Sequence, residues 1–252
     1  MEEDLGHVIY GRNTLREALN AGSAIDKVFF LEGDPDSTLI ELRNLVKASR
    51  IPYVFVAKPR LNSIAGTSSH QGVVAKLSVR AYSSVDGVLR QSAKKNEPPF
   101  ILACFQLQDP HNLGSLLRTG EAVGIDGIII PQNRSTGLTP TVSKVASGAD
   151  SHVPVARVNN LYETLVGLRE RGIVIIGADM GGDTHYRDPD YTAPLVILLG
   201  GEGRGLDRRL LSICDRRVHI PLRGKLNSLN VGVAGALLLY EVLFQRTGKK
   251  NA

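Results

Sequence analysis

Residues 195–246, LVILLGGEGRGLDRRLLSICDRRVHIPLRGKLNSLNVGVAGALLLYEVLFQR, carry the reading on which the fold turns. The run at 195–199 is apolar throughout, the pattern of a strand buried on both faces. It ends in Gly200-Gly201-Glu202-Gly203-Arg204-Gly205, whose four glycines admit conformations that other residues resist and let a ligand approach the main chain. A short helix over 207–213 follows, then a second strand over 217–221, where Pro221 cannot continue a ladder. Lys225-Leu226-Asn227-Ser228-Leu229-Asn230 is a polar loop that opens a helix over 231–245. Ser and Asn suit such a position because their side chains accept hydrogen bonds from first-turn amides. The small residues at 231–236 let this helix press against another backbone, in the core or at a subunit interface.

Upstream, strands are expected over 100–107, 127–130, 153–158 and 173–178, alternating with helices over 114–123, 139–147 and 161–171. Such alternation argues for a parallel sheet covered on both faces, with ligands bound where the carboxyl ends of strands meet loops. Three polar loops leave strand ends, at 108–112, 200–205 and 221–230, and are expected to converge on one site. The polar segment 180–194 reads as a long surface loop. Residues 81–99, with the charged and proline-rich QSAKKNEPP at 91–99, read as a linker between a domain at 1–80 and one at 100–252. The first domain alternates helices at 12–20 and 36–49 with strands at 27–31, 52–56 and 72–77, a small α/β layer. Its loop His70-Gln71-Gly72 reads either as a plain turn or as RNA-contacting surface, and Arg12 either as a phosphate contact or as a solvated charge.

Composition narrows the class. With 252 residues, 42% of them apolar, the chain is large enough for two domains, and no apolar run approaches the roughly 20 residues of a membrane span. The acidic start Met1-Glu2-Glu3-Asp4 carries the wrong charge for a signal peptide, so a cytoplasmic protein is expected. Cys104 and Cys214 lack ligand spacing, which argues against a zinc site or disulfide framework and for two reduced thiols. A formal charge of +5 suits a polyanionic partner without requiring one. The dinucleotide fingerprint fails: G-x-G-x-x-G begun at Gly201 finds Leu206 at its last place. No P-loop, metalloprotease spacing or nucleophile elbow occurs.

Three segments in order carry a resemblance: Asn112-Leu113-Gly114-Ser115-Leu116-Leu117-Arg118-Thr119-Gly120-Glu121-Ala122, then Leu199 through Leu206, then Ser228-Leu229-Asn230-Val231. They resemble the three motifs of the SpoU branch of the SPOUT RNA methyltransferases. Tyr10-Gly11-Arg12-Asn13 and His70-Gln71-Gly72-Val73-Val74-Ala75 are similar to the small substrate domain of the bacterial 23S rRNA guanosine 2′-O-methyltransferases. The resemblance implies an α/β chain: a trefoil-knotted parallel-sheet methyltransferase domain, an exception to the rule against knots, preceded by a small α/β RNA-binding domain. It also implies a homodimer, S-adenosyl-L-methionine as cofactor, and 23S rRNA as the partner, with a tRNA ribose or a catalytically silent RNA-binding role as alternatives.

By motif match, Asn112, Arg118, Glu202, Ser228 and Asn230 would line the reaction site. Leu199, Gly200, Gly201, Gly203, Ile220, Leu222 and Leu229 would hold the cofactor. Arg118 is cationic at ordinary pH, which gives it an electrostatic role on phosphate and developing alkoxide, and leaves a base role open only if its pKa is greatly lowered. Taken singly, Asn112 and Asn230 could be helix caps, Ser228 a turn residue and Glu202 a loop carboxylate; motif order favours the site. Arg134, Lys144, Arg204, Arg223 and Lys225, with Arg208 and Arg209, lie near the loops and would position RNA through phosphates, as Arg12 and His70 would from the first domain. Gly232 stands where the third motif often has serine, and removes no group the chemistry needs.

Overall fold

The computed structural model describes residues 7–203 and 205–248. The chain divides into two units, one of residues up to Ala81 together with Gly137–Thr141, the other of Tyr82–Thr136 and the chain from Val142.

In the first unit, β1 (Val8–Tyr10), β2 (Ile25–Leu31), β3 (Tyr53–Val56) and β4 (Val73–Leu77) form a sheet in the order β1-β4-β2-β3. Strand β4 runs antiparallel to both neighbours, and β2 and β3 are parallel. Alternation along the strands sorts side chains to two faces. Val28, Phe30, Val73 and Ala75 meet Leu15 of α1 (Arg12–Asn20) and Leu42 and Val46 of α2 (Ser37–Ala48), while Phe29 and Val74 meet Leu61 and Ile64 of α3 (Lys58–Ala65). Asp36 caps α2, accepting from Leu39 N at 3.1 Å. Helix α3 is absent from the sequence reading: Lys58-Pro59-Arg60 and Asn62-Ser63 look like loop, yet Pro59 sits at the first turn, where its missing N–H costs nothing, and Gly66 closes the helix at φ 66°.

The second unit holds α4 (Val85–Lys95), β5 (Phe100–Cys104), α5 (Pro110–Val123), β6 (Gly127–Pro131), α6 (Pro140–Ala146), β7 (Val155–Val158), α7 (Leu161–Glu170), β8 (Val174–Ala178), β9 (Thr184–His185), β10 (Leu195–Leu199), α8 (Arg208–Ile213), β11 (Arg216–His219) and α9 (Val231–Gly248), α6 beginning within the Gly137–Thr141 segment counted with the first unit. Its seven strands are parallel and lie in the order β7-β6-β5-β10-β8-β11-β9. Every residue of β5 and β10 is buried, as their unbroken apolar runs require. Ile101, Ala103, Val196 and Leu198 face a cluster with Val88 of α4, Leu165 and Leu168 of α7, and Leu210 of α8. Toward the other face, Gly235 of α9 brings that helix against Leu116 of α5 and Leu199: a Cβ there would stand 2.4 Å and 2.8 Å from their methyls.

Two sequence expectations need correction. Residues 81–99 are not a linker: Ser84 caps α4 by accepting from Gly87 N, Val88 enters the core, and Asn96 ends the helix in the left-handed region. The proline-rich 91–99 is the end of that helix and its turn into β5. Nor is 180–194 a plain surface loop. It pairs β9 with β11 and buries Tyr191, whose hydroxyl donates to the carbonyl of Tyr186 at 2.5 Å.

Candidate active site

Three strand-to-helix connections meet at the carboxyl end of the parallel sheet. After β5, Asp109 caps α5 by accepting from His111 N at 2.8 Å, and Pro110 occupies the first helical turn. Asn112 therefore lies in the first turn of α5, where only 7% of it is exposed. Gly114 keeps this end of α5 seated, since a Cβ would come within 2.7 Å of the Val145 side chain and 2.9 Å of the Val142 carbonyl.

After β10 the chain closes on itself. Gly201 and Gly205 exchange N–H to carbonyl bonds of 3.1 Å in both directions, and a Cβ on Gly200 would stand 2.4 Å from the Gly205 carbonyl carbon. Gly203 and Gly205 take positive φ, 81° and 63°. This pinched loop carries Glu202 to the start of α5, where its Oε1 accepts from Asn112 Nδ2 at 2.8 Å and from Asp109 N at 3.2 Å.

After β11, Asn230 caps α9: its Oδ1 accepts from Gly232 N at 2.9 Å and Val233 N at 3.3 Å. Its Nδ2 is then the atom left to donate, and it does so to Asn112 Oδ1 at 3.0 Å. With its oxygen so used, Asn112 presents its own Nδ2 to the Glu202 carboxylate. The backbone of α9 thus sets the orientation of both amides. Glu202, Asn112 and Asn230 form one hydrogen-bonded chain joining all three loops, and Asn112 and Asn230 are at once helix-terminus residues and members of it.

The other expected residues stand apart from this chain. Arg118 is exposed further along α5 and donates to Ser147 Oγ at 3.4 Å; Ser228 is exposed two residues before Asn230. Leu199 is buried at the end of β10, Gly200 and Gly201 are half-buried, and Gly203 is exposed; Ile220, Leu222 and Leu229 are half-buried on the loop after β11. Sequence reasoning missed Asp109, which both caps α5 and binds Glu202, although an Asp before a Pro is a helix-start signal. The Gly181-Gly182 pair that marks the 180–194 loop in the sequence forms a tight turn after β8: Gly182 lies so close to Arg217 that a Cβ would meet its carbonyl oxygen at 2.7 Å, and the Gly182 carbonyl accepts from His219 Nδ1 at 2.9 Å.

Among the expected RNA contacts, Arg134, Lys144, Arg223 and Lys225 are exposed, and Arg204 lies outside the described residues. His70 is a correction. It is 3% exposed, its Nδ1 accepts from Gly72 N at 3.0 Å, and its Nε2 donates to Asn62 Oδ1 at 2.8 Å. Both ring nitrogens hold the turn and neither is free to meet RNA; burial, then the nearby Lys58, lower its pKa and keep the ring neutral. Arg12 ties the start of α1 to the same turn, donating from Nε to the Gln71 carbonyl at 3.0 Å and pairing with Asp36 at 2.7 Å. The Leu39 amide, then Arg12, hold the Asp36 carboxyl below its usual range.

Burial pushes Cys104 up to about 12 and Cys214 up to about 11, so neither thiol is a ready nucleophile. Among the described residues no group of three or more His, Cys, Asp or Glu could hold a metal ion, and no helix is long and apolar enough to cross a membrane. The groups that the structure brings together at the site are two amides and a carboxylate, which can orient a polar substrate.

Comparison with known proteins identifies the family. Residues 99–240 match the model of the SpoU rRNA methylase family, and residues 8–83 match the model described as RNA 2′-O ribose methyltransferase substrate binding. A Bacillus subtilis protein assigned to the TrmH family of tRNA/rRNA methyltransferases is 39% identical over 94% of this chain and 95% of its own length. A Staphylococcus aureus protein assigned to the same family is 40% identical over 95% and 96%. Among solved structures, the SpoU methyltransferase AviRb from Streptomyces viridochromogenes, in complex with its cofactor AdoMet, superposes with a TM-score of 0.61 at 25% identity, over 96% of this chain and 90% of that one. A TrmH/SpoU tRNA-modifying enzyme of A. aeolicus gives a TM-score of 0.56 at 26% identity over 61% of this chain and 78% of its own. By motifs, matched domains and whole-length likeness together, the chain belongs to the SpoU rRNA methylase family.

Proposed function

We propose that the protein is an S-adenosyl-L-methionine-dependent RNA ribose 2′-O-methyltransferase acting on a guanosine of 23S rRNA. The observation that carries the reading is the Glu202–Asn112–Asn230 chain, because it assembles the polar residues of three separate loops at the ligand end of a parallel sheet. The residues present suit the cofactor: half-buried Ile220, Leu222 and Leu229 would offer it apolar surface, the main chain at Gly200 and Gly201 would offer hydrogen-bonding groups, and Glu202 carries a carboxylate suited to a sulfonium. When bound, the cofactor supplies an electrophilic methyl group. This chain's own residues do the rest. A ribose hydroxyl is a poor nucleophile, so its proton must be drawn off as charge develops on oxygen. Arg118 would hold an adjacent phosphate and stabilise that charge, while Asn112, Glu202, Ser228 and Asn230 would hold the ribose in line.

The protein would act as a homodimer. Val233, Leu237, Tyr240 and Phe244 recur at helical spacing on α9 and are 50%, 40%, 53% and 64% exposed, an apolar stripe beside Asn230 and Ser115 that a second copy would cover. The trefoil knot, cytoplasmic residence and the placing of RNA by the first unit belong to the same reading. A tRNA ribose is the second target, favoured by relatives whose names include tRNA, and a catalytically silent RNA-binding factor the third.

The test is transfer of labelled methyl from S-adenosyl-L-methionine to total RNA lacking its own modification, followed by digestion to nucleosides. Label in 2′-O-methylguanosine of 23S rRNA is the expected result. Label in tRNA selects the second target, and no label with no cofactor binding selects the silent factor.

A further inference from the structure

Beside the three-loop site, at the ends of β5, β6 and β7, the second unit holds a hollow of 230 Å³ lined by Gln106, Asn133, Arg134, Asn159, Tyr162 and Arg209, among others. It is smaller than the about 300–1,000 Å³ of a cavity enclosing a drug-sized ligand, so it is scaled to one flat heterocycle and not to a whole cofactor. Asn160, Asp207 and Arg209 of its lining are engaged by Glu163 N, Leu210 N and the Glu163 carboxylate, while four other polar side chains are not. The side chains of Gln106, Asn133, Arg134 and Asn159 hydrogen-bond to no other described residue, whereas Asn112 and Asn230 of the neighbouring site are already bonded to each other and to Glu202 or the α9 backbone. Three amides and a guanidinium around one concavity offer both donors and acceptors, the combination that reads the edge of a base.

The hollow also contains a built platform. The Arg209 guanidinium lies 4.0 Å from the centre of the Tyr162 ring and is held there by Glu163 Oε1 at 2.9 Å, with 60% of its side chain exposed. A guanidinium held over an aromatic ring and still exposed is a surface on which an unstacked base can lie. Gln106 and Arg134 take left-handed φ of 51° and 59°, so the non-glycine backbone at two walls is held in a sparsely populated region. The loop after β5 connects the two places: a Cβ on Gly201 would stand 3.0 Å from Gln106 Cβ, and Asp109, three residues on, binds Glu202. Three residues span at most about 11 Å, so the hollow lies within a few nucleotides' reach of a ribose at the Asn112 site.

We infer that this hollow is a subsite for one unstacked base of the RNA strand flanking the methylated nucleotide, stacked on Arg209 and read by Asn133, Asn159 and Gln106, with Arg134 on its phosphate. The inference rests on the methyltransferase reading above and adds to it a specificity-determining site.

The test uses the full-length protein with labelled S-adenosyl-L-methionine and total RNA lacking its own modification, comparing the parent with the Asn133→Ala/Asn159→Ala double variant and with Asn133→Asp, which keeps the side chain's size. The subsite requires the rate at limiting RNA to fall about tenfold in the double variant, the scale of losing two hydrogen bonds, and to recover at saturating RNA, with cofactor affinity and melting temperature unchanged. Asn133→Asp should fall similarly, because it exchanges a donor for a negative charge beside a polyanion. An unchanged rate at limiting RNA overturns the subsite, as does a loss confined to kcat. Weakened cofactor binding overturns it in favour of a cofactor pocket. If the parent itself methylates no RNA, the failure lies with the methyltransferase reading and is seen before any variant is compared.

Discussion

Asn112 is buried, donates to Glu202 and accepts from Asn230, so its truncation removes the central link of the site. Asn112→Ala should lower methyl transfer about 100-fold, the scale of losing one preorganised polar group. Glu202→Gln, which keeps the shape and one acceptor oxygen, should lower it less; steady-state rates on unmodified RNA decide the order. Both residues were legible because each belongs to a motif with glycine or asparagine in fixed order. The bond of Asp109 to Glu202 was not, since a side chain reaching a backbone 93 residues away leaves no local trace. His70 shows the opposite failure. A histidine among Ser, Gln and Gly looks like exposed loop, and only the fold reveals that Asn62 and Gly72 consume both ring nitrogens. Its lowered pKa sets a sign: below about pH 6.5 the unfolded chain takes up a proton that the folded unit refuses. The first unit should therefore lose stability as pH falls from about 6.5 through the folded pKa, and His70→Gln should flatten that slope in chemical denaturation followed against pH.

At the scale of elements, α9 and the loop after β10 depend on glycines for different reasons. On Gly235→Ala the new methyl would meet the ends of two leucine side chains, Leu116 and Leu199, which can shift at a cost of about 1–3 kcal/mol. At Gly200 the obstruction is the Gly205 backbone itself, which can move only by breaking the Gly201–Gly205 pair. Gly200→Ala should thus displace Glu202 and abolish methyl transfer, while Gly235→Ala should lower the melting temperature and leave most activity. Differential scanning calorimetry beside the methyl-transfer assay separates the two. Strands β5 and β10 were readable because burial on both faces demands unbroken apolar runs. Helix α4 was not, because the charged and proline-rich composition of its end outweighed the Ser84 cap and the inward spacing of Val85, Val88 and Leu89. Helix α3 offered only Leu61, Ile64 and Ala65 as apolar positions, too few to establish a helical period.

For the whole molecule, the exposed apolar stripe of α9 decides the state of assembly. Leu237→Glu/Phe244→Glu places carboxylates on the stripe and should shift sedimentation toward a monomer, with methyl transfer falling in step if the second copy completes the site. Fold class and the meeting of three loops at one end of the sheet were visible from alternation and motif order, whereas the seven-strand order, with β10 between β5 and β8, is tertiary and has no sequence period. That order bears on how the protein comes into being. Phe100 pairs with Leu195, so the central ladder joins residues 95 positions apart, while the first unit's strands are complete by Leu77. Chains grow at roughly 5–20 residues per second and domains fold as units. For several seconds of synthesis, β5 therefore stands as a finished apolar strand without one of its two neighbours, and non-local parallel pairing of this kind is slow and exposed to aggregation.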